Sequence, residues 1–299
     1  MGSILRFPYL RESKPIKINR SIIKPFLRWA GGKTWFIKKV DQFLPHSFNK
    51  YYEPFLGGAA MFFHLKQYGK LNGHVILSDL NRELIECFVE VRDRVEDIIQ
   101  HLTTYRNEKE FYYTIRAFSP SSAVEKAARF IYLNRTSFNG IYRVNLNGVY
   151  NVPYGFKPYN VLFDYDNLRN ASLLLQGAQI ISQDFQSSLK SVKEGDLVFL
   201  DPPYTVAHDN NGFIKYNQKI FAWEDQHRLV ETIKDIVKKG AYFILTNAAH
   251  PSIDEIFTPC GTKTELKRFS VIGGKQAKRE LKGEYVFSNL NHDRGESIL

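Results

Sequence analysis

Cysteine is scarce in this sequence, and long apolar runs are lacking. Only Cys87 and Cys260 occur among the 299 residues, and neither has a histidine or cysteine partner at metal-binding spacing, so we expect neither a disulfide framework nor a zinc site. Apolar runs such as residues 197–200 are far too short to cross a bilayer. Residues 1–20 are polar and basic and lack the apolar core of a secretory signal. We therefore expect a cytoplasmic protein with no membrane or metal partner.

Positive charge exceeds negative charge along the chain. Lysine and arginine total 41 against 31 acidic residues, which gives a net charge of +10 and a pI of about 9.4. Such a balance attracts a polyanion, and nucleic acid is the obvious candidate. A basic protein with no nucleic-acid partner would have the same composition, so the motifs have to decide.

Short apolar segments alternate with segments of helical periodicity. Residues 75–79 have the pattern of a buried strand that ends in an acidic residue, and a helical pattern follows from 82 to about 100. The alternation returns with a strand at 196–201, a helix at 225–239 and a strand at 241–247. This order predicts an α/β fold with a mostly parallel sheet.

The chain divides by composition into three parts. Residues 1–20 are expected to form a basic N-terminal arm. Residues 92–180 are richer in helical patterns, aromatic residues and Asn/Gly turns, and they contain few fully apolar segments. We therefore expect a mainly helical insert over 92–180, with a hairpin at 138–155, inside a catalytic domain formed by residues 21–91 and 181–299.

The sharpest motif is Asp201-Pro202-Pro203-Tyr204, directly after the apolar run at 197–200. Ligands of open α/β sheets bind beyond the carboxyl ends of the strands, and two prolines make a stiff turn there. The Asp201 carboxylate and the Pro202 carbonyl only accept hydrogen bonds, so they could hold both hydrogens of an exocyclic amino group while Tyr204 stacks on its base. A base in duplex DNA would have to be flipped out first. The alternative is an ordinary turn after a strand.

A tight glycine turn lies in residues 53–60 (EPFLGGAA), before an apolar helical stretch. Such turns allow a nucleotide-like ligand to approach the backbone, although a purely structural turn has the same pattern. Asp79 ends the next predicted strand. There its carboxylate could accept hydrogen bonds from ribose hydroxyls, or it could cap the following helix.

In this order the motifs resemble those of the Dam-like (alpha-class, D12) DNA adenine-N6 methyltransferases, and the resemblance covers about 24–290. Residues 26–33 (FLRWAGGK) resemble the family's N-terminal cofactor motif, residues 53–58 its glycine motif and residues 201–204 its catalytic motif. Family members often carry glycine where this chain has Ala59, and we expect that methyl group to be tolerated. The resemblance implies a Rossmann-like, S-adenosylmethionine-dependent methyltransferase sheet with an inserted target-recognition domain.

The resemblance also implies which side chains form the site. Trp29 would offer an aromatic face, and Lys33 a cation for the methionine carboxylate. Without the resemblance, Trp29 would be assigned to the core and Lys33 to the surface. The expected catalytic residues are Asp201, Pro202, Pro203 and Tyr204. The expected cofactor-binding residues are Trp29, Lys33, Glu53, Phe55, Gly57, Gly58, Asp79, Asp184, Phe185 and Asp201.

Residues 134–155 contain Asn-Gly pairs between short β-type runs, which predict hairpins. In the resembled family this segment reads the target sequence, and the resemblance is closest to members that methylate GATC. Arg143 could bind a guanine through O6 and N7, Phe138 could fill the space left by a flipped adenine, and Ile141 and Pro153 could contact a thymine methyl group. Asn139 could make polar base or phosphate contacts. A hairpin that only packs on its own domain is the alternative.

A basic loop separates the predicted strands at 269–272 and 285–287. It contains Lys275, Lys278 and Arg279, which could contact DNA phosphates or could simply be solvated. We expect double-stranded DNA as the partner. A cognate restriction endonuclease in the same system would fit as well, with no direct contact implied.

Other chemistries fit the sequence less well. Pro259-Cys260 is similar to the pair in cytosine-C5 methyltransferases, but no site-like strand precedes it, and an amino target needs no covalent nucleophile. The acidic residues are scattered, which argues against a metal-dependent nuclease. An RNA or protein N-methyltransferase on the same fold stays open, as does a catalytically silent DNA-binding regulator.

Overall fold

The chain forms one seven-stranded sheet whose strands alternate with helices. The computed structural model describes residues 22–145, 147–206, 221–269 and 281–290. The strands are β1 (Tyr51–Glu53), β2 (Val75–Asp79), β3 (Gln179–Ser182), β4 (Leu197–Leu200), β5 (Tyr242–Ala248), β6 (Thr262–Phe269) and β7 (Leu281–Ser288). Their order in the sheet is β3-β2-β1-β4-β5-β7-β6. The first five run parallel, whereas β7 is antiparallel to β5 and β6. This topology confirms the predicted α/β, Rossmann-like fold.

Helices connect the parallel strands and fill the insert. They are α1 (Ala60–Gln67), α2 (Arg82–Thr103), α3 (Lys109–Ala117), α4 (Ala123–Thr136), α5 (Tyr165–Leu175), α6 (Phe185–Ser188), α7 (Trp223–Lys238) and α8 (Pro251–Phe257). Short 3-10 helices lie at Ile37–Phe43, Phe138–Gly140 and Thr258–Cys260. In the described ranges, none of these helices combines the length and apolar character needed to span a membrane.

Both faces of the inner strands β2, β4 and β5 are covered, which explains why these strands are apolar runs and do not alternate. All four residues of β4 are buried. Leu197 and Phe199 belong to one hydrophobic core, and Val198 and Leu200 belong to the core on the opposite face. A parallel strand buried on both faces needs apolar residues at every position. The predicted strands at 75–79, 196–201 and 241–247 therefore agree with the structure to within one residue.

The expected insert is continuous with the preceding part of the chain, because one helix spans the boundary between them. Helix α2 crosses the expected boundary between residues 91 and 92 and has non-helical backbone angles at Arg94. It packs against α4, which starts with a reciprocal cap: the Glu125 amide donates to Ser122 Oγ, and the Ser122 amide donates to Glu125 Oε2. Nothing in this packing sets a domain boundary, so the division at 92–180 stays a prediction.

The structure can also be compared with two predicted β segments, the hairpin at 138–155 and the strand at 269–272. In the expected hairpin segment, excluding residue 146, isolated antiparallel bridges pair Ser137 with Tyr154 and Val144 with Tyr150. The Asn145 side chain accepts hydrogen bonds from the amides of residues 147 and 149, so a side chain takes donors that a strand ladder would use. Of the strand expected at 269–272, Phe269 is the last residue of β6, and residues 270–272 lie outside the described ranges.

The segment that precedes β1 is held on the helices by amide side chains. Asn134 of α4 accepts from the Arg28 amide and donates to the Arg28 carbonyl, both at 2.7 Å, and it also donates to the Gly140 carbonyl at 3.1 Å. Asn167 of α5 makes the same two-point pairing with the Lys24 backbone at 2.9 Å. Asn134 is only 3% exposed. These amides therefore replace a strand partner for residues 24–28.

The two asparagines provide a matched test of burial. We expect Asn134→Ala to lower the free energy of unfolding by about 2–4 kcal/mol, because three hydrogen bonds are lost and their partners stay buried. Asn167→Ala should cost about 1 kcal/mol or less, because water reaches the groups that it leaves. Urea unfolding of both variants measures the difference, and equal costs would contradict the structural role of Asn134.

Candidate active site

The strand order reverses between β1 and β4, and this switch point places the candidate site. From β1 the chain adds β2 and β3 on one side, and from β4 it adds β5 on the other. Glu53 ends β1, and Asp201 directly follows β4. Ligands of open α/β sheets bind in the crevice beyond the carboxyl ends of the strands at such a point. The glycine and proline motifs predicted from the sequence therefore meet at one edge of the sheet.

A buried ion pair joins the N-terminal motif to the proline motif. Lys33 is 3% exposed, and its Nζ lies 2.7 Å from Asp201 Oδ1, 2.8 Å from the Gly31 carbonyl and 3.8 Å from Glu284 Oε2. Gly31 has a φ of 79°, and the amide of Gly32 donates to the Trp29 carbonyl, so a tight turn brings the lysine back into the site. Lys33 is thus not the surface lysine that its residue type alone suggests.

Only one of the two carboxyl oxygens of Asp201 accepts hydrogen bonds from described residues. Its Oδ1 accepts from Lys33 and, at 2.8 Å, from Thr246 Oγ1 of β5, whereas no described residue donates to Oδ2. Burial raises the pKa of this carboxyl most strongly, Lys33 and Thr246 oppose that rise, and the charge of Glu284 adds to it. Within the described residues, Oδ2 therefore keeps its lone pairs available for another donor.

Tyr204 is fixed at its hydroxyl and beside its ring. The hydroxyl donates to Glu284 Oε2 at 2.7 Å, and the Lys33 ammonium lies 4.9 Å from the centre of the ring. Glu284 lies in β7 and is 2% exposed. Sequence reasoning missed Glu284. The alternation of a strand could have indicated it, because a residue two positions before the buried Val286 lies on the same face of the strand.

A group of buried polar side chains that the sequence did not reveal also supports the turn at residues 201–204. Gln226 of α7 donates to Thr205 Oγ1 at 3.1 Å, and Asn247 of β5 donates to Gln226 Oε1 at 3.3 Å. Gln226 and Asn247 are fully buried. This chain of side-chain hydrogen bonds ties the residue after Tyr204 to a helix and to the neighbouring strand.

Glu53 lies in a closed environment. It is 2% exposed, and its Oε2 accepts from the Tyr51 hydroxyl at 2.7 Å. Burial is the main cause that raises the pKa of Glu53 to about 8, and the charge of Asp201 adds to the rise. The carboxyl group is therefore mostly protonated at neutral pH in the absence of a cationic ligand.

The glycine turn forms a close cradle against Trp29. A Cβ at Gly57 would lie 2.7 Å from Trp29 Cδ1, and one at Gly58 would lie 3.4 Å from Trp29 Cβ. Asp79 accepts from the amides of Gly57 at 3.1 Å and Asn81 at 2.9 Å, and burial raises its pKa. The backbone contact with the indole leaves no room for a side chain at Gly57.

Ala59 adopts a left-handed conformation, with φ 57° and ψ 31°. The conformation is strained for any residue other than glycine, asparagine or aspartate. It gives a backbone reason why glycine is favoured at this position of the motif. The chain accepts the strain at the start of α1, where the side chain is buried.

Trp29 also contacts the helical insert. Its ring stacks on Tyr142 at 5.7 Å and on Phe130 of α4 at 6.3 Å between centroids. Trp29 is thus partly buried between the glycine turn and the expected insert, and its role in binding the cofactor stays a prediction. It links the candidate cofactor residues to the segment that contains Arg143.

An aromatic and acidic pair lies beside the glycine motif. The Phe55 and Phe185 rings stack at 5.4 Å, and the Arg228 guanidinium lies 4.9 Å from the centre of the Phe185 ring. Asp184 Oδ1 accepts from Arg228 at 2.9 Å and from the Gln186 amide at 3.0 Å. The structure therefore brings Asp184 and Phe185 to Phe55.

Four of the eight residues expected to contact DNA lie on exposed positions of the expected insert. Phe138, Asn139, Arg143 and Pro153 are exposed, and Ile141 is half-buried. The Phe138 amide donates to the Pro153 carbonyl, and Arg143 Nε donates to Asn151 Oδ1 at 2.8 Å. Lys275, Lys278 and Arg279 lie outside the described residues. Within the ranges that are described, no group of three or more histidine, cysteine or acidic side chains could hold a metal ion.

Comparison with known proteins identifies the family. Residues 29–270 match the family described as D12 class N6 adenine-specific DNA methyltransferase. The type II methyltransferase M1.LlaDCHI of Lactococcus lactis subsp. cremoris is 33% identical over 92% of this chain and 98% of its own length. The type II methyltransferase M.MjaIII of Methanocaldococcus jannaschii is 37% identical over 76% of this chain and 84% of its own. The DNA adenine methylase of Haemophilus influenzae is 31% identical over 74% and 78%. This chain therefore belongs to the D12 class of N6 adenine-specific DNA methyltransferases, as its motifs predicted.

Proposed function

We propose that this adenine-specific DNA methyltransferase transfers the methyl group of S-adenosylmethionine to N6 of an adenine flipped out of double-stranded DNA, within GATC or a related site. The observation that carries the proposal is the arrangement of Lys33, Asp201 and Tyr204 at the switch point of the sheet. It combines a cation, an acceptor with one open oxygen and an aromatic ring.

The residues around the glycine turn fit S-adenosylmethionine by the chemistry of their side chains. Lys33 uses two of its three N–H groups on Gly31 and Asp201, which leaves one for the methionine carboxylate. Asp79 can accept from ribose hydroxyls with its remaining lone pairs, and the Phe55 and Phe185 rings offer apolar faces for the adenine ring. When bound, the cofactor supplies an electrophilic methyl group on a cationic sulfur.

Asp201 and Pro202 would hold the acceptor amino group. Asp201 Oδ2 and the Pro202 carbonyl can each accept one N6 hydrogen, which favours a pyramidal nitrogen whose lone pair is available. Tyr204 would stack on the flipped base. Because the Lys33 ammonium lies over one side of the ring, the base would use the other side.

The exposed face of the insert would read the target. Arg143 would bind guanine, and Asn139 would make polar base or phosphate contacts. Phe138 would fill the stack, and Ile141 and Pro153 would meet a thymine methyl group. We also propose Lys275, Lys278 and Arg279 as phosphate contacts from the sequence alone. The reaction would take place in the cytoplasm, and a restriction endonuclease of the same specificity would fit beside it.

Two aspartates flank β4 and give a matched test of the catalytic role. Asp201→Asn should lower methyl transfer to DNA on the order of 10²- to 10³-fold, because one N6 hydrogen loses its acceptor in a water-poor site. Asp196 is 1% exposed and accepts from the amides of Lys50 and Lys193. Asp196→Asn should reduce stability but leave the rate of the folded enzyme within about twofold.

Transfer of a labelled methyl group from S-adenosylmethionine to duplexes with and without GATC measures both variants. Full activity of Asp201→Asn would sink the proposed role of Asp201. Label on duplexes without GATC would keep the reaction and discard the proposed site. The absence of label on any DNA would remove the proposed reaction itself.

Guanine recognition by Arg143 can be tested on the DNA as well as on the protein. Arg143→Ala should lower transfer to a GATC duplex by about 10- to 100-fold, the worth of one bidentate contact. Replacing each guanine of the site by 7-deazaguanine removes N7, so it should slow the wild type but not the variant any further. Arg169→Ala, an exposed arginine paired with Glu96 on the insert, is the control. Equal wild-type rates on both duplexes would contradict this contact.

The raised pKa of Glu53 predicts a pH-dependent preference between ligands. Below pH 8 the carboxyl is protonated, and as the pH rises through about 8 it becomes an anion that favours the cationic sulfonium. The affinity for S-adenosylmethionine relative to the neutral thioether S-adenosylhomocysteine should therefore increase between pH 6 and pH 9. Calorimetry measures both, and Glu53→Gln should flatten the ratio. A ratio in the wild type that does not change with pH would exclude this role.

A further inference from the structure

Glu284 is a buried carboxylate in the site that none of the recognised motifs contains. It is 2% exposed in β7, accepts from the Tyr204 hydroxyl at 2.7 Å and lies 3.8 Å from Lys33 Nζ. Removing a carboxylate from water is costly unless charge and hydrogen bonds compensate. Part of the compensation for Glu284 comes from two side chains of the proposed catalytic machinery.

The register of the sheet puts Glu284 at this place. Glu284 pairs with Ala248, at the carboxyl end of β5. The two strands approach closely there, because a Cβ at Gly283 would lie 2.8 Å from the Cβ of Ala249. Thr246, two residues earlier in β5, donates to Asp201. The first residue of the proline motif is therefore held from β5 and the last from β7.

We propose that Glu284 is a positioning residue that fixes the orientation of the Tyr204 ring, and with it the stacking surface for the acceptor base. This inference rests on the proposed function, since Tyr204 is taken to stack on the flipped adenine. The two prolines fix the backbone before Tyr204, but they leave its side-chain torsions free. The hydroxyl bond to Glu284 removes that freedom at the far end of the ring.

A merely structural role makes a different prediction. If Glu284 only balanced the charge of Lys33, its substitution would act in the same way with or without the Tyr204 hydroxyl. If it orients Tyr204, the two substitutions share one interaction and their effects cannot add. The coupling between the two residues therefore separates the two roles.

The test is a double-mutant cycle with Glu284→Gln, Tyr204→Phe and the double variant. Glu284→Gln is close in shape and keeps a neutral acceptor, so we expect a folded protein whose kcat/KM for DNA falls by about fivefold, the difference between a charged and a neutral acceptor. In the Tyr204→Phe background the same change should cost less than about twofold. Glu284→Leu, which removes the acceptor, should cost about 30-fold in the wild-type background.

A fluorescent base reports the stacking directly. With 2-aminopurine in place of the target adenine, Glu284→Gln should change the emission of the bound duplex, and the change should be absent in the Tyr204→Phe background. Glu90→Gln is the matched control, because Glu90 is a buried glutamate that pairs with Arg94 in α2. Glu90→Gln should leave both kcat/KM for DNA and the emission of 2-aminopurine unchanged.

The possible outcomes distinguish a failure of the positioning role of Glu284 from a failure of the proposed methyl transfer. Methyl transfer by the wild type together with non-additive losses supports the positioning role. Transfer by the wild type with additive losses, or with no loss in Glu284→Gln and Glu284→Leu, overturns the positioning role alone. The absence of transfer to DNA by the wild type overturns the proposed function and this inference together.

Discussion

The buried ammonium of Lys33 is the interaction on which the site depends. It pairs with Asp201, lies near Glu284 and covers part of the Tyr204 ring. A lysine and two carboxylates that are removed from water stabilise one another, because an unpaired buried charge is costly. The N-terminal motif, the proline motif and β7 are thereby held in one arrangement. Under the proposed function, the same cation would also bind the methionine carboxylate of the cofactor.

The surrounding fold keeps this set in place through bonds between distant parts of the chain. Asn134 fixes the backbone of Arg28, and the neighbouring Trp29 packs on the glycine turn and stacks on Tyr142 of the insert. The candidate cofactor residues and the candidate DNA-reading segment thus share one ring.

The sequence predicted the strands and the turn at Asp201, because these features depend on local residue patterns. Apolar runs such as 75–79 and 197–200 are strands because both of their faces are covered, and the stiff turn at Asp201 follows directly. The burial of Lys33 could not be read from its neighbours, because its partner Asp201 lies far along the chain, directly after β4. Glu284 was missed for the same reason: its role depends on the pairing of β7 with β5. Resemblance to a family supplied the site residues, while the extent of the hairpin segment followed from Asn145, whose side chain competes with strand pairing.

The central role of the Lys33 ammonium is tested most directly by measuring the affinity for S-adenosylmethionine by calorimetry in the wild type and in Lys33→Met. Methionine keeps the length and apolar stem of the side chain but removes the charge. We predict that the affinity falls by about 10- to 100-fold, the worth of a charge-assisted hydrogen bond to the methionine carboxylate. Unchanged affinity in a folded Lys33→Met protein would show that Lys33 serves the fold alone, and it would contradict the proposal that its ammonium both organises the site and binds the cofactor.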